Sequence, residues 1–253
     1  NVRLREEFNL ALNVRPIKST PKKTRYSDVS IDMLIFRMNL GDLYIGEERE
    51  IPGGVEAVAR FTEAECEAYA TIAFAYARAH DRKKMAIGGK DNILKLSHGL
   101  FRRVIRKVAA RYPEIECKDF IADNLGMQMV MWPESFDCIM LPNFIGDLYS
   151  DVAAGLVGGL GFAAGANIGK EYAIFEAVHG TAPDIARKGI ANPSALILSG
   201  AMMLDHLGER EAAGRVRKAG YTVIAEGQFV TKDVNPQHFV STEAFADAVI
   251  DHF

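Results

Sequence analysis

Apolar and polar positions follow two rhythms along this chain. Runs of strand length occupy residues 31–37, 84–87 and 136–141, where consecutive apolar side chains suit buried strands. Helical spacing fills other stretches. Thr62-Glu63-Ala64-Glu65 has the form of a capping box, and the apolar run behind it continues helically to about His80. Ser97 is placed to cap a second helix, in which Leu100, Phe101, Val104, Ile105 and Val108 recur at helical spacing and Pro113 is the stop. Residues 147–156 read as helical. Asn192-Pro193 suits the start of a helix through Leu207, ended by Gly208, and two more helices fit residues 209–226 and 242–252. The residues from Asn1 to Glu7 read as a helix already under way. Residues 16–28, rich in Pro, Lys, Ser and Thr, read as loop, and Gly41, Gly46 and Gly53-Gly54 bracket a turn-rich stretch. Alternating strands and helices predict an α/β protein, without giving its strand order.

Composition narrows the class. The 253 residues are 49% hydrophobic and 25% charged, ordinary for a soluble globular chain of one or two domains. A net charge of −3 offers no basic excess for nucleic acid, and no run of eighteen apolar residues suggests a membrane span. Three cysteines, Cys66, Cys117 and Cys138, are widely spaced in apolar contexts and read as free thiols of a reducing compartment; none has zinc spacing with a histidine.

Candidate chemistry gathers around carboxylates. Asp147 and Asp151 are four residues apart on a predicted helix and share a face. They follow a predicted strand, at the kind of junction where α/β proteins collect ligands. Two hard oxygen ligands with room for water suit Mg²⁺ or Mn²⁺, although a solvated acidic helix face has the same spacing. Asp123, after Phe120-Ile121-Ala122, has the context of an ordinary strand-end aspartate. Arg5, Arg15 and Arg37 are spread along the first segment, and Arg37 is odd because it ends an apolar strand. A carboxylate-rich substrate needs several such forks, while surface ion pairing explains each one singly. Lys90, in Gly88-Gly89-Lys90-Asp91-Asn92, and Tyr44 read either as turn residues or as a base and a proton donor.

Longer motifs carry a resemblance. Asn143-Phe144-Ile145-Gly146-Asp147-Leu148-Tyr149-Ser150-Asp151, with the glycines to Gly169, resembles the signature of the isocitrate/isopropylmalate dehydrogenase family. Glu176-Ala177-Val178-His179-Gly180-Thr181-Ala182-Pro183-Asp184-Ile185 does so too, as do Asn192-Pro193 and Ser199-Gly200-Ala201-Met202-Met203-Leu204. The resemblance spans essentially the whole chain. It implies that family's α/β fold, without a GxGxxG nucleotide motif. Residues 11–157 would form the smaller substrate and dimerisation domain, and residues 1–10 and 158–253 part of the large dinucleotide-binding domain. Asp147 and Asp151 match the metal aspartates of one subunit. Asp123 and the catalytic Lys90 match groups given by its neighbour, and Tyr44 matches the catalytic tyrosine. Arg5, Arg15 and Arg37 match the substrate-carboxylate arginines. His179, Gly180, Thr181, Ala182, Pro183, Asp184, Ile185 and Asn192 fall on the adenosine-binding loop.

The implied activity is NAD-dependent oxidative decarboxylation of a small 2-hydroxy acid by a homodimer or higher oligomer with shared sites, in bacterial cytoplasm or mitochondrial matrix. Asp184-Ile185 resembles the NAD form of the loop, because a carboxylate accepts bonds from a ribose 2′-OH but repels a 2′-phosphate. Asn1 falls where isocitrate enzymes carry Asn, isopropylmalate enzymes an apolar residue and homoisocitrate enzymes often Arg. Isocitrate is therefore the expected substrate. Isopropylmalate, homoisocitrate or tartrate oxidation, and a non-catalytic regulatory subunit, are the alternatives. The chain departs from the family at Met38 and Gly41, at Gly89 and Asp91, at Arg187 and at Val234-Asn235-Pro236-Gln237. The family pattern also extends well ahead of Asn1, so a longer protein is expected.

Overall fold

The computed structural model describes residues 2–253, so Asn1 and the substrate contact expected of it lie outside the described residues. The elements follow in the order α1 (Val2–Glu7), β1 (Leu12–Lys18), β2 (Asp32–Met38), β3 (Glu48–Ile51), β4 (Gly54–Ala57), α2 (Glu63–Ala79), β5 (Lys84–Gly89), α3 (Ser97–Ala109), β6 (Glu116–Ile121), α4 (Ala122–Met131), β7 (Cys138–Leu141), α5 (Asn143–Leu156), β8 (Ala164–Ile168), β9 (Ala173–Ala177), α6 (Ser194–His206), α7 (Arg210–Glu226) and α8 (Thr242–Asp251). The α/β expectation holds.

The chain divides into two compact units. One contains Asn1–Arg15, Asp32–Ser150 and Asn167–Ile174. Its sheet has the order β6-β5-β7-β2-β1-β8-β9, with β1, β8 and β9 contributing only part of their length to this unit. β2 runs parallel to β7, and β5 runs parallel to both β6 and β7. The apolar runs of β2, β5 and β7 are buried almost throughout, as strands covered on both faces must be. The helix α2 buries Cys66, Tyr69, Ala70, Ala73, Phe74 and Ala77, and α3 buries Phe101, Val104, Ile105 and Val108. Tyr69 and Phe101 stack between these two helices with ring centroids 5.9 Å apart.

The other unit contains Pro16–Ile31, Asp151–Ala166 and Phe175–Phe253. Here α7 packs on both α6 and α8. Its core gathers Phe162, Ala219, Val223, Ile224, Phe245, Ala248 and Val249.

Local expectations met tertiary structure with mixed results. Thr62 caps α2 as expected, its hydroxyl accepting from the Glu65 N–H at 3.2 Å. Ser97 does not cap α3; it is the first helical residue behind Leu96, which is already in helical conformation. Asn192 caps from one residue further out than expected, its Oδ1 accepting from the Ser194 N–H at 2.9 Å. Residues 16–18, expected as loop, end β1, because pairing in the sheet overrides local composition. The turn-rich stretch contains an antiparallel β3–β4 hairpin. β5 does not stop at Ile87 but runs on through Gly88 and Gly89, its last two residues. The helix expected from Asp147 begins at Asn143. Cys66 and Cys138 are buried free thiols, and burial pushes Cys66 up to about 12.

Tyr69 ties this layer to the strand ends. Its fully buried hydroxyl donates to the Phe36 carbonyl at 2.7 Å and accepts from the Leu141 N–H at 3.2 Å. Tyr69→Phe removes both of these buried hydrogen bonds and should cost about 1–3 kcal/mol. In urea the expected result is a lower unfolding midpoint at an unchanged slope.

Candidate functional site

Four parallel strands set the position of the site. Arg37 lies near the carboxyl end of β2, Lys90 directly follows β5, Asp123 follows β6 by two residues, and Asp147 lies on the helix after β7. Parallel strands in register place these ends along one edge of the sheet.

At that edge Asp147 gathers three predicted groups. Arg15 Nη2 donates to Asp147 Oδ1 at 3.1 Å, Arg37 Nη1 donates to the same oxygen, and the Tyr44 hydroxyl donates to Asp147 Oδ2. The Arg37 guanidinium also lies 4.5 Å from the Tyr44 ring centroid, a cation–π arrangement. Both guanidiniums are aimed by neighbours. Arg15 Nε donates to Asn13 Oδ1 at 2.7 Å and its Nη1 donates to Ser150 Oγ. Arg37 Nε donates to Asn143 Oδ1 at 2.8 Å. A buried amide cluster supports Asn13: Asn13 Nδ2 and Asn39 Nδ2 each donate to Asn167 Oδ1 at 2.9 Å. Gly146 lets α5 lie against Arg37, since a Cβ there would approach Arg37 Cγ to 2.9 Å.

The electrostatics are those of two cations sharing one carboxylate. Arg37 is only 1% exposed, and among the described residues its Nη2 is buried with no hydrogen-bond partner. Burial and then Arg15 lower Arg37 to about 10 against the opposing pull of Asp147, with Arg5 on α1 adding to the lowering. It remains a cation at neutral pH. Burial alone would raise Asp147, but Tyr44, Arg37 and Arg15 together hold its carboxyl below the usual range. Tyr44 is pushed up by burial and then by its bond to Asp147, so it keeps its proton.

Lys90 and Asp123 form a second pair, with Lys90 Nζ donating to Asp123 Oδ1 at 2.9 Å. Asp123 stands in the first turn of α4 rather than at a strand end, and its carboxyl is exposed. Asp151 is exposed one turn beyond Asp147 on α5. Among the described residues no three His, Cys, Asp or Glu side chains gather as a metal cluster.

The second unit holds a cavity of about 560 Å³. The predicted residues His179, Gly180, Thr181, Ala182, Ile185 and Asn192 line it. Pro183 and Asp184 lie between Ala182 and Ile185 in a single 3₁₀ turn and are not among its lining residues. Arg187, Asp233 and Thr242 also line it. Asp233 holds the wall together by accepting from Asn192 Nδ2 at 3.0 Å and from Thr231 Oγ1 at 2.6 Å.

The isocitrate/isopropylmalate dehydrogenase family model matches residues 1–249. This chain belongs to that family. An isocitrate/homoisocitrate dehydrogenase of Thermus thermophilus is 46% identical over 248 residues, covering 98% of this chain and 73% of the relative. The mitochondrial NAD isocitrate dehydrogenase catalytic subunit 5 of Arabidopsis thaliana is 44% identical over 255 residues, covering 100% and 67%. The crystal structure of isocitrate dehydrogenase from Methylococcus capsulatus superposes with a TM-score of 0.95 at 45% identity, covering 100% of this chain and 76% of that one. The chain thus stands among decarboxylating dehydrogenases.

Within this family member, sequence reasoning missed the groups that aim the reactive ones. Asn13, Asn143 and Ser150 are polar residues in apolar surroundings, which is a weak signal. Asp42 gave a weaker one still. It is buried at φ +59, a backbone state that few residues other than Gly adopt easily. Its Oδ1 accepts from the Leu43 N–H at 2.9 Å, starting the 3₁₀ turn that carries Tyr44, and its Oδ2 accepts from the Phe144 N–H at 2.9 Å, starting α5. One carboxylate therefore positions both Tyr44 and Asp147. Asp42→Asn, which loses one acceptor, should cost about 1 kcal/mol, and Asp42→Ala, which loses both and strains the backbone, at least about 2 kcal/mol. Chemical denaturation of the two variants checks that order.

Proposed function

We propose that this chain carries the catalytic residues of an enzyme that oxidises and decarboxylates isocitrate to 2-oxoglutarate with NAD and Mg²⁺ or Mn²⁺. The observation that carries the reading is the buried guanidinium pair of Arg15 and Arg37 around Asp147, with Tyr44 protonated beside it and one Arg37 nitrogen unpaired. Such a cluster suits a small polycarboxylate, whose carboxylates take the guanidinium donors that Asp147 occupies here.

The residues fit the cofactors. Asp147 is kept ionised and Asp151 follows it by one helical turn, a hard oxygen set suited to Mg²⁺ or Mn²⁺, with Asp123 of a neighbouring copy as third ligand. The cavity lined by His179, Gly180, Thr181, Ala182, Ile185 and Asn192 suits an adenosine moiety, and Asp184 favours a free 2′-hydroxyl over a 2′-phosphate. When bound, the cation would stabilise negative charge on the substrate oxygens, and NAD would accept the hydride.

The remaining work falls to side chains. Arg15, Arg37 and Arg5 orient the carboxylates, which aligns the bond to be broken. Lys90 takes the hydroxyl proton of the substrate. Tyr44 returns a proton to the carbon that loses CO₂, a role its raised pKa suits. Retention of both proton-transfer residues favours a catalytic over a regulatory subunit. A pair of copies is the expected assembly. Met127, Met131 and Trp132 at the end of α4 and Phe144 and Leu148 on α5 are exposed apolar side chains on two helices tied by the Tyr149 hydroxyl donating to the Ala122 carbonyl at 2.8 Å.

NADH formation with isocitrate, isopropylmalate, homoisocitrate and tartrate at fixed Mg²⁺ tests the reading. Isocitrate should give the highest kcat/KM, exchange of NAD for NADP should lower it steeply, and Lys90→Met should abolish the signal. Preference for another acid would move the substrate assignment, and turnover by Lys90→Met equal to the native rate would remove the base. Subunit sharing has its own test. Lys90→Met and Asp147→Asn are each expected to be inactive, yet subunits reassorted at equal ratio should recover about a quarter of native activity, because half the pairs hold one intact site. No recovery after verified exchange would place all the groups in one subunit.

A further inference from the structure

We propose that His98 is a positioning residue for Lys90: its imidazole, buried beneath the end of β5, holds the backbone from which the lysine amine is aimed. The proposal rests on the reading of Lys90 as the base.

Lys90 is the first residue beyond β5, whose register with β6 ends at the pair Gly89 and Ile121. Past that point a side chain replaces the ladder. The Lys90 N–H donates to His98 Nδ1 at 2.9 Å. The Lys90 carbonyl accepts from the N–H groups of Ile93 and Leu94 at 3.0 and 2.8 Å. Both sides of this residue's backbone are therefore tied, one by the following turn and one by the imidazole. The preceding Gly88 and Gly89 bring no side chains to stiffen the approach. A Cβ on Gly89 would lie 3.7 Å from Arg102, 3.8 Å from His98 Nδ1 and 3.9 Å from Asp91, so the cluster stands directly under the glycine.

The mount is rigid. His98 is 4% exposed, and its ring lies 5.3 Å from that of Phe61. Arg102, one turn further along α3, pairs with Asp91 at 2.7 Å and donates to the Phe120 carbonyl at 2.8 Å. The residue after Lys90 is thereby fastened to the end of β6. Because Nδ1 accepts, the neutral ring carries its proton on Nε2. A protonated ring would set a donor against a donor. The charged groups facing His98 are Asp42 before Tyr44, Asp91 beside Lys90, and Arg102 on α3. Burial, aided by Arg102, outweighs the two carboxylates and lowers the imidazole below the ordinary histidine value. At neutral pH it is an acceptor. As pH falls through that lowered value the bond to Lys90 is lost.

The full chain labelled with ¹⁵N-lysine tests this, with Lys90→Arg identifying the Lys90 amide. In the native protein that amide should shift as acid protonates His98. In His98→Asn, whose Oδ1 can occupy the place of Nδ1, it should keep its neutral-pH position without titrating. His98→Leu should displace it at every pH. In turnover, His98→Leu should lose roughly 10- to 100-fold in kcat with KM changed less than about threefold, and His98→Asn should recover most of the loss. A native amide indifferent to acid, a native kcat in His98→Leu, or a loss that His98→Asn does not restore would each overturn the proposal. If the leucine variant does not fold, the native titration and the kcat of the asparagine variant decide. A native protein inactive on every acid in the panel would overturn the decarboxylation reading instead, and the amide titration would still decide the hydrogen bond.

Discussion

A guanidinium cannot be buried without its counter-charge. Arg37 lies near the end of a strand that is otherwise apolar from Met33 onward, and it is almost fully excluded from solvent. Removing an ion from water costs several kcal/mol even after relaxation. Asp147 offsets that cost, and it does so for Arg15 as well. The requirement explains much of the local structure. It explains why Gly146 must leave room for the Arg37 stem, why Asn143 and Asn13 accept from the guanidinium Nε atoms, and why Tyr44 stands over Arg37 while donating to the same carboxylate.

Strand direction supplies the second constraint. In a parallel sheet every carboxyl end faces the same edge, so residues far apart in sequence meet there without any local signal. Arg37, near the end of β2, and Lys90, Asp123 and Asp147, which follow β5, β6 and β7, come to that edge because all four strands run the same way. The groups that aim them come from other places. Asp42 caps two separate helical starts, Tyr69 closes the strand ends from α2, and His98 reaches Lys90 from α3.

Several elements were legible locally because their causes are local. The Thr62 capping box, the apolar stripe of α3 and the buried runs of β2 and β7 all rest on contacts between near neighbours or on burial that the residue types announce. The misjudged boundaries have distant causes. Helix α5 begins at Asn143 because Asp42, about a hundred residues earlier, accepts the Phe144 N–H. Pro16 to Lys18 are strand because neighbours in the sheet make them so, and α3 begins without help from the Ser97 hydroxyl because the preceding turn already points the backbone into the helix. For the site, spacing alone left the acidic pair open between a metal site and a solvated face. The long motifs favour the metal reading by resemblance.

By itself, then, the sequence determined the alternation of buried strands and amphipathic helices and the family, and it named the candidates for the reactive side chains, since each is carried by residue type and short-range order. Tertiary structure alone decided that Arg15, Arg37 and Tyr44 converge on one carboxylate, that Lys90 pairs with Asp123, and that Asp42 and His98 hold them in place. The physical reason is range. Propensity and periodicity act over a few residues, whereas a hydrogen bond between residues a hundred positions apart exists only once the sheet has brought their strands together.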